Sequence, residues 1–544
     1  MTDANSTTHS TPTPLAEFTL KAVVAGVLLG CLFGAANAYL GLRVGLTVSA
    51  SIPCAVMTVA VFKLLRARGT ILEANMSQTI GSASTSLASG SIFTIPALFM
   101  WGVVPPYTQI VVLCFLGGVL GLCAMIPLRR LLIVQEHETL PYPEGKACAD
   151  VLKATAASSA GSGWIFGGIL VGALVKLALA VFFLVPKDLA YEFELLPKAR
   201  LAIELAPALL AIGFILGIRQ SGVLLSGGIV SALVLTPLIA WFGAKIPVAV
   251  APETKKTIAE MTSGEIFRSY VRYVGAGAVA TAGILTVLKS LPSMWGAVSG
   301  VLAGLRKRAS TAGDERTDRD LPSWVIVLGI ATVIFVAGFA PGVFAGNLAL
   351  GPRLVLAAGV GVFGLLFVTV AARIVGIVGV SSQPTSGIAL VTLIAIASVF
   401  AAQGWTDAGS KAAVLTVGTI VAVAASKAGD ISQDLKTGYL LGATPARQQL
   451  GQLIGASVAC WAVAGTVYLI GTSSGFGEGS EFGAPQATMM KTIVEGVLEG
   501  ALPWDLVLTG AGLSIGALLC GVSALAFAIG VYLPLANLTP IFLG

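Results

Sequence analysis

Residues 108–127 read TQIVVLCFLGGVLGLCAMIP, and Leu128, Arg129 and Arg130 follow. The run holds no Asp, Glu, Lys or Arg, and it is as long as the roughly 20 residues a helix needs to cross a bilayer. A soluble helix would keep one polar face. Here the only strongly polar side chains, Thr108 and Gln109, stand at the start, and arginines stand just past the end. Comparable runs lie near 18–42, 44–62, 164–185, 201–218, 220–242, 322–342, 354–372, 386–402, 411–426, 450–470 and 505–533. Weaker ones lie near 71–102, 270–291 and 487–503. The expected class is an all-α polytopic membrane protein with about 13–16 transmembrane helices.

The composition of the 544 residues agrees: 56% are hydrophobic, 11% are charged, and mean hydropathy is +0.92. A soluble protein carries about 25% charged residues, so a soluble enzyme, a nucleic-acid binder and a disordered scaffold are excluded. Long polar–apolar alternation is absent, which disfavours a β-barrel. The 32 Lys+Arg exceed the 26 Asp+Glu, and we read this excess as topology, because cytoplasmic loops retain basic residues. With the N-terminus inside, Lys63, Arg66, Arg68, Arg129, Arg130, Arg306, Lys307, Arg308, Arg316, Arg319, Arg373, Lys427, Lys436 and Arg447 can all be cytoplasmic. The loop 243–269 then falls outside. The expected organisation is a disordered cytoplasmic tail at 1–17, an N-terminal transmembrane half at 18–303, a charged cytoplasmic loop at 304–321 and a C-terminal transmembrane half at 322–544. The seven cysteines form no C-x-x-C pair and read as small packing residues. Glycines in G-x-x-x-G spacing, such as Gly26/Gly30/Gly34 and Gly451/Gly455, let helix backbones approach closely. The same faces are compatible with a homodimer.

Polar residues inside such a chain are costly and become functional candidates. In 71–96, ILEANMSQTIGSASTSLASGSIFTIP, the residues Glu73, Asn75, Gln78, Thr79 and Ser82 open a run of hydroxyls and amides. A broken or re-entrant segment lining a cavity accommodates such a run. Its side chains suit a polar, zwitterionic solute, and Glu73 suits a cation or proton; plain helix–helix hydrogen bonding is the alternative. In 135–153 two prolines precede a helix start at Glu144, which reads either as a cap or as a group in gating or coupling. In 379–388, GVSSQPTSGI, Pro384 removes a backbone donor and disfavours helix at Gln383. The freed backbone beside Ser381, Ser382 and Gln383 lines a site or forms a simple loop. In 426–452, Asp430 and Asp434 share one helix face, with Gln433 and Tyr439 close by. That face is either solvated or a polar cluster at the mouth of a pathway. In YLPLANLTPIFLG, 532–544, two prolines flank Asn537 and Thr539.

Taken in order, EANMSQTIGSASTSLASGSIFTIPAL (73–98), PYPEGKACADVL (141–152), RIVGIVGVSSQPTSGIA (373–389), AGDISQDLKTGYLLGATPARQQLGQLIG (428–455) and IGVYLPLANLTPIFLG (529–544) resemble the oligopeptide transporter family. That family includes peptide carriers and yellow-stripe-like carriers of metal–chelate complexes. The resemblance implies two related halves, secondary active transport coupled to protons, and residence in a bacterial inner membrane among lipids. It implies small peptides or metal chelates as cargo, with no cofactor and no resident metal. The family pattern has Asn where Gln383 stands here, and members continue past the position of Gly544, so a shortened C-terminal half is expected. Substrate lining is expected from Glu73, Asn75, Gln78, Thr79, Ser82, Ser381, Ser382, Gln383, Gln433, Tyr439 and Asn537. Proton coupling is expected from Glu73, Glu144, Asp430 and Asp434.

Two other classes were weighed. An intramembrane enzyme needs a motif the chain lacks: there is no H-E-x-x-H, and the two histidines, His9 and His137, lie outside clear spans. A channel would show a repeated pore motif. ATP is not the direct drive, because no G-x-x-x-x-G-K-[ST] occurs.

Overall fold

The computed structural model describes residues 16–45, 47–64, 69–157, 167, 168, 170–175, 178, 188–193, 196–205, 207–251, 256–279, 281, 282, 285, 288, 316–380, 383, 385–477, 480, 482–499 and 503–544. Much of the expected spans near 164–185 and 270–291, and most of the 304–321 loop, lie outside these residues. Among the described residues nine helices are long and apolar enough to cross a membrane. Two shorter apolar helices, Ser51–Lys63 and Trp504–Leu519, accompany them. The chain is an all-α polytopic membrane protein, and among the described residues one antiparallel hairpin pairs β1 (Asp188–Glu192) with β2 (Arg200–Glu204).

The helices that frame the site are α1 (Leu20–Val44), α2 (Ser51–Leu64), α3 (Ile71–Ile92), α4 (Ile95–Met100), α5 (Tyr107–Met125) and α6 (Pro143–Ala157). After α7 (Pro207–Ile229) come α8 (Ser323–Phe339), α9 (Leu350–Val378), α10 (Thr385–Ala402), α11 (Ala408–Leu441) and α12 (Pro445–Ser473). The chain closes with α13 (Pro485–Glu499), α14 (Trp504–Leu519), α15 (Ala524–Tyr532) and α16 (Leu535–Leu543). Helix α11 is central: α3, α5, α6, α9, α10 and α12 all pack on it. Its 34 residues make a rod of about 50 Å at 1.5 Å per residue, longer than the roughly 30 Å hydrocarbon core.

The ends of α11 are written into the sequence. Asp407 caps its start, accepting from the N–H groups of Gly409 (3.0 Å) and Ser410 (3.2 Å) and from the Ser410 hydroxyl (2.5 Å). Gly442, at φ 71°, ends it. The next N–H, of Ala443, reaches back to the Gly438 carbonyl at 2.8 Å, as a left-handed glycine cap allows. Pro445 then starts α12, where its missing N–H costs nothing. The Ser410 hydroxyl and the two backbone N–H groups hold the Asp407 carboxyl below the usual carboxylate range. Its stabilisation is therefore complete above the pKa of the unfolded carboxyl and is lost as pH falls through the lower folded value. Asp407→Ala is expected to cost about 1 kcal/mol at neutral pH. Thermal unfolding in detergent at several pH values would show the gap between variant and wild type closing in acid.

Helix α3 carries the polar run of the chain, and every residue from Leu72 to Ile92 is buried. The expected break falls at Phe93–Thr94, after the polar part. Up to Ile92 the helix is continuous. Two arrangements satisfy most of its hydroxyls without breaking it, Thr85 being the one left unpartnered. Ser84, Ser86, Ser89 and Ser91 donate to carbonyls three or four residues back, the local bond that short polar side chains make within helices. Others meet neighbours: Thr94 pairs with Thr419 at 2.7 Å, and Ser89 pairs with Ser426. The outer surface is apolar. On α1, Leu20, Val24, Leu28 and Leu32 recur every fourth residue and are exposed, an apolar stripe along one face of the helix. The inner face of α1 meets α3 through Gly26, Gly30 and Gly34, where an added Cβ at Gly26 would stand 2.7 Å from the Ser77 carbonyl.

One end of the bundle is tied by ions. Glu17, fully buried, accepts from Arg316, from Arg447 at 3.3 Å and from Thr444 at 3.1 Å. Arg129 holds Asp320 at 2.5 Å and Asp318 at 3.1 Å. Asp320 also accepts from Gln449. The basic residues Arg129, Arg316 and Arg447, expected on one side, do gather at one end. Lys427 does not join them: it is buried inside the bundle, where Gln452 and the Ala83 carbonyl accept from it.

Candidate functional site

The polar centre forms where α3, α11 and α12 run together. Lys427, Asp430 and Asp434 stand at i, i+3 and i+7 and so share a face of α11. Asp434 is fully buried and its carboxylate is saturated. Oδ1 accepts from Ser51 (3.2 Å) and Gln78 (2.5 Å). Oδ2 accepts from Ser82 (2.5 Å) and from Gln452. Lys427 donates to the Oε1 of the same Gln452 and to the Ala83 carbonyl at 3.5 Å. One amide thus bridges the cation and the anion. Gln448 donates to Thr79 (3.2 Å) and to the Asp434 carbonyl (2.8 Å).

A second group of contacts lies on the adjoining face of α11, toward α6 and the break between α9 and α10. Helix α9 ends at Gly379, φ 84°, and α10 begins after Pro384, as the 379–388 stretch led us to expect. Glu144 at the start of α6 packs on Gly379, where a Cβ would meet its Oε1 at 2.8 Å. The next residue, Gly145, donates its N–H to Gln433 Oε1 at 2.6 Å, and Gln433 Nε2 donates to the Val375 carbonyl at 2.9 Å. Gln383 Nε2 donates to the Ala425 carbonyl at 2.9 Å. Tyr142, immediately before α6, is buried and sits at φ 48°, a conformation bulky residues rarely adopt. Its N–H and hydroxyl are both fixed to α9, on Gly376 and Ala372. Burial pushes the Tyr142 phenol up, so the hydroxyl stays protonated and donating.

Asp430 lies between the two groups. Its charged neighbours are Asp434, Lys427 and Glu144. It is fully buried, and neither of its oxygens has a hydrogen-bond partner. Asn75 is likewise buried with both amide atoms unpartnered, and Gln78 Oε1 and Gln383 Oε1 are open acceptors.

The structure therefore brings together Gln78, Thr79, Ser82 and Asp434, and places Asp430 beside them. Glu144, Gln383 and Gln433 join from the other face. Three expected residues lie elsewhere. Glu73 is buried but engaged at the start of α3: it bonds the Thr70 N–H (2.8 Å), the Thr19 hydroxyl (2.7 Å) and Lys21 (3.0 Å). Tyr439 is 41% exposed and lies against the His137 ring at 5.2 Å. Asn537 sits on α16, which packs on α7 and β2. Ser381 and Ser382 lie outside the described residues. The sequence reading missed Lys427 as a site residue, and it missed Ser51, Gln448 and Gln452. Lys427 was detectable by its spacing to the two aspartates; the others became visible only through packing.

Comparison with known proteins gives the family. The profile of the family described as "OPT oligopeptide transporter protein" matches residues 17–544. A Haemophilus influenzae protein, named as a proposed oligopeptide transporter, is 33% identical over 554 aligned residues, covering 93% of this chain and 84% of its own length. A Saccharomyces cerevisiae protein named in the same way is 40% identical over 81 residues, 15% of this chain and 10% of that one. The family profile spans nearly the whole chain, and the bacterial relative shares a third of its residues over most of both lengths, so the chain belongs to the OPT oligopeptide transporter family.

Proposed function

We propose that the chain is a secondary active transporter, not an enzyme, that carries small peptides across the bacterial inner membrane and draws on the proton gradient. The observation that carries this reading is Asp430: a carboxylate buried within a membrane bundle with no donor on either oxygen. Such a group is costly when charged and unpaired. It rests by taking a proton or a cationic partner, and exchanging these is what a coupled carrier does. Asp434 and Glu144 sit close enough to feel its charge, so they shape the exchange. Glu73, held by Lys21, Thr19 and the helix start, serves the seam between α1 and α3. Gln78, Thr79, Ser82, Gln383 and Gln433 supply the amides and hydroxyls that a peptide backbone would bond. The names of the family and of both relatives speak of oligopeptides. A metal–chelate complex presents similar polar groups, and uptake separates the two cargoes.

The test is uptake by proteoliposomes under an inward proton gradient, with a small-peptide pool offered beside a ferric-chelate pool and each read by mass spectrometry. Gradient-dependent uptake of peptides is expected, and Asp430→Asn is expected to lower it to the level of protein-free vesicles. Uptake of the chelate pool alone would overturn the choice of cargo. Uptake indifferent to the gradient would overturn the coupling.

A further inference from the structure

The other buried carboxylates of the bundle with printed contacts already have their donors. Asp434 has four, Glu73 has three, Glu17 has two arginines and a threonine, and Asp320 has Arg129 and Gln449. Among the described residues Asp430 is the carboxylate with both oxygens buried and unpartnered. No described side chain donates to either oxygen. The backbone of α3 at Ser86 lies beside it, and the N–H groups there are engaged inside the helix. Gln383 presents an open amide oxygen against Gly429, the preceding residue of α11. Two further carboxylates, Asp434 and Glu144, and one lysine, Lys427, stand around Asp430, and the Lys427 ammonium is already held by Gln452 and the Ala83 carbonyl.

This place lacks a cation that brings its own N–H donors. A hydroxyl or amide would bring donors without charge, and among the described residues no three His, Cys, Asp or Glu side chains are grouped to hold a metal ion. An alkylammonium brings both: one positive charge and three N–H groups. On the reading of the chain as a peptide carrier, the cargo carries such a group at one end. We propose that Asp430 binds the free α-ammonium of the peptide, with the Gln383 amide oxygen as a second acceptor, so that the site selects peptides with an unblocked N-terminus. The second negative charge left nearby then accounts for a proton travelling with the peptide.

Binding without a gradient tests this apart from coupling. Radiolabelled trialanine would be bound at equilibrium to the purified full chain and competed with N-acetyl-trialanine and with trialanine amide. The amide is expected to compete like the parent. The acetylated form is expected to compete about tenfold or more weakly, the loss of a charge-assisted hydrogen bond. Asp430→Asn should weaken trialanine while leaving the weak affinity of the acetylated form unchanged, with size-exclusion elution confirming that the variant is folded. Equal competition by both blocked peptides would overturn the ammonium site and leave the peptide carrier standing. Failure of all three peptides both to bind and to be taken up would overturn the carrier reading, and this inference with it.

Discussion

Asp434→Leu is expected to lose most of the thermal stability of the bundle. Four donors, from Ser51, Gln78, Ser82 and Gln452, converge on that carboxylate. Leucine accepts none of them, and the positive charge of Lys427 then faces no saturated anion. Lys427 reaches Asp434 through the Gln452 amide; leaving a buried charge without its compensating partner costs about 3–5 kcal/mol, and each orphaned buried donor adds to it. The double variant Asp434→Leu/Lys427→Met removes both charges. It is expected to recover a good part of the loss, because an apolar pair of similar volume is tolerated where a lone charge is not. Denaturant or thermal unfolding of the two single variants and the double in mild detergent gives the coupling energy. Additive losses would show that the two charges do not act through Gln452.

The second large effect lies where α11 is gripped. A Cβ at Gly121 of α5 would stand 2.3 Å from the Ala424 carbonyl and 2.8 Å from Lys427 Cβ. At Gly117 it would stand 2.7 Å from the Ile420 carbonyl, and at Gly90 of α3 2.5 Å from the Val423 N. The obstacle is backbone, so no rotamer relieves it, and α5 must move off α11. Overpacking that side chains can absorb costs about 1–3 kcal/mol; Gly121→Val exceeds that range because the helices themselves must part. The expected result is aggregated or unfolded protein in size-exclusion chromatography. Gly118→Ala is the control, since its Cβ would come no closer than 3.3 Å, to the end of Leu87, and it should elute as wild type. A monodisperse, active Gly121→Val protein would mean that α5 and α11 do not cross as described.

The fold class was legible because it rests on local composition. The charge-free run at 108–127 became α5, and the proline and glycine of 379–388 mark the gap between α9 and α10. The site was legible in outline only. Gln78 and Ser82 stand out as polar residues in an apolar setting, yet their common partner lies more than 350 positions away at Asp434. Spacing along one helix cannot reveal such a pairing. Glu73 and Asp430 look alike in sequence, each a carboxylate among apolar residues. Lys21 and Thr19, which decide the fate of Glu73, come from a different helix. Asn537 lies apart from this centre for a related reason: proline-flanked polar residues mark a helix interruption, and an interruption need not border the centre. Gln452 carried no signal of its own, because an amide one turn from other amides reads as a solvated face until α3 is laid against it.

The uninterrupted length of α11 has a mechanical consequence. Its stretch from Ala408 to Leu441 holds no proline, and sharp bends in helices arise at prolines and similar faults. The helix works as a ruler: the three charges at Lys427, Asp430 and Asp434 keep their spacing along one face, so a group that meets one of them meets the others in a set register.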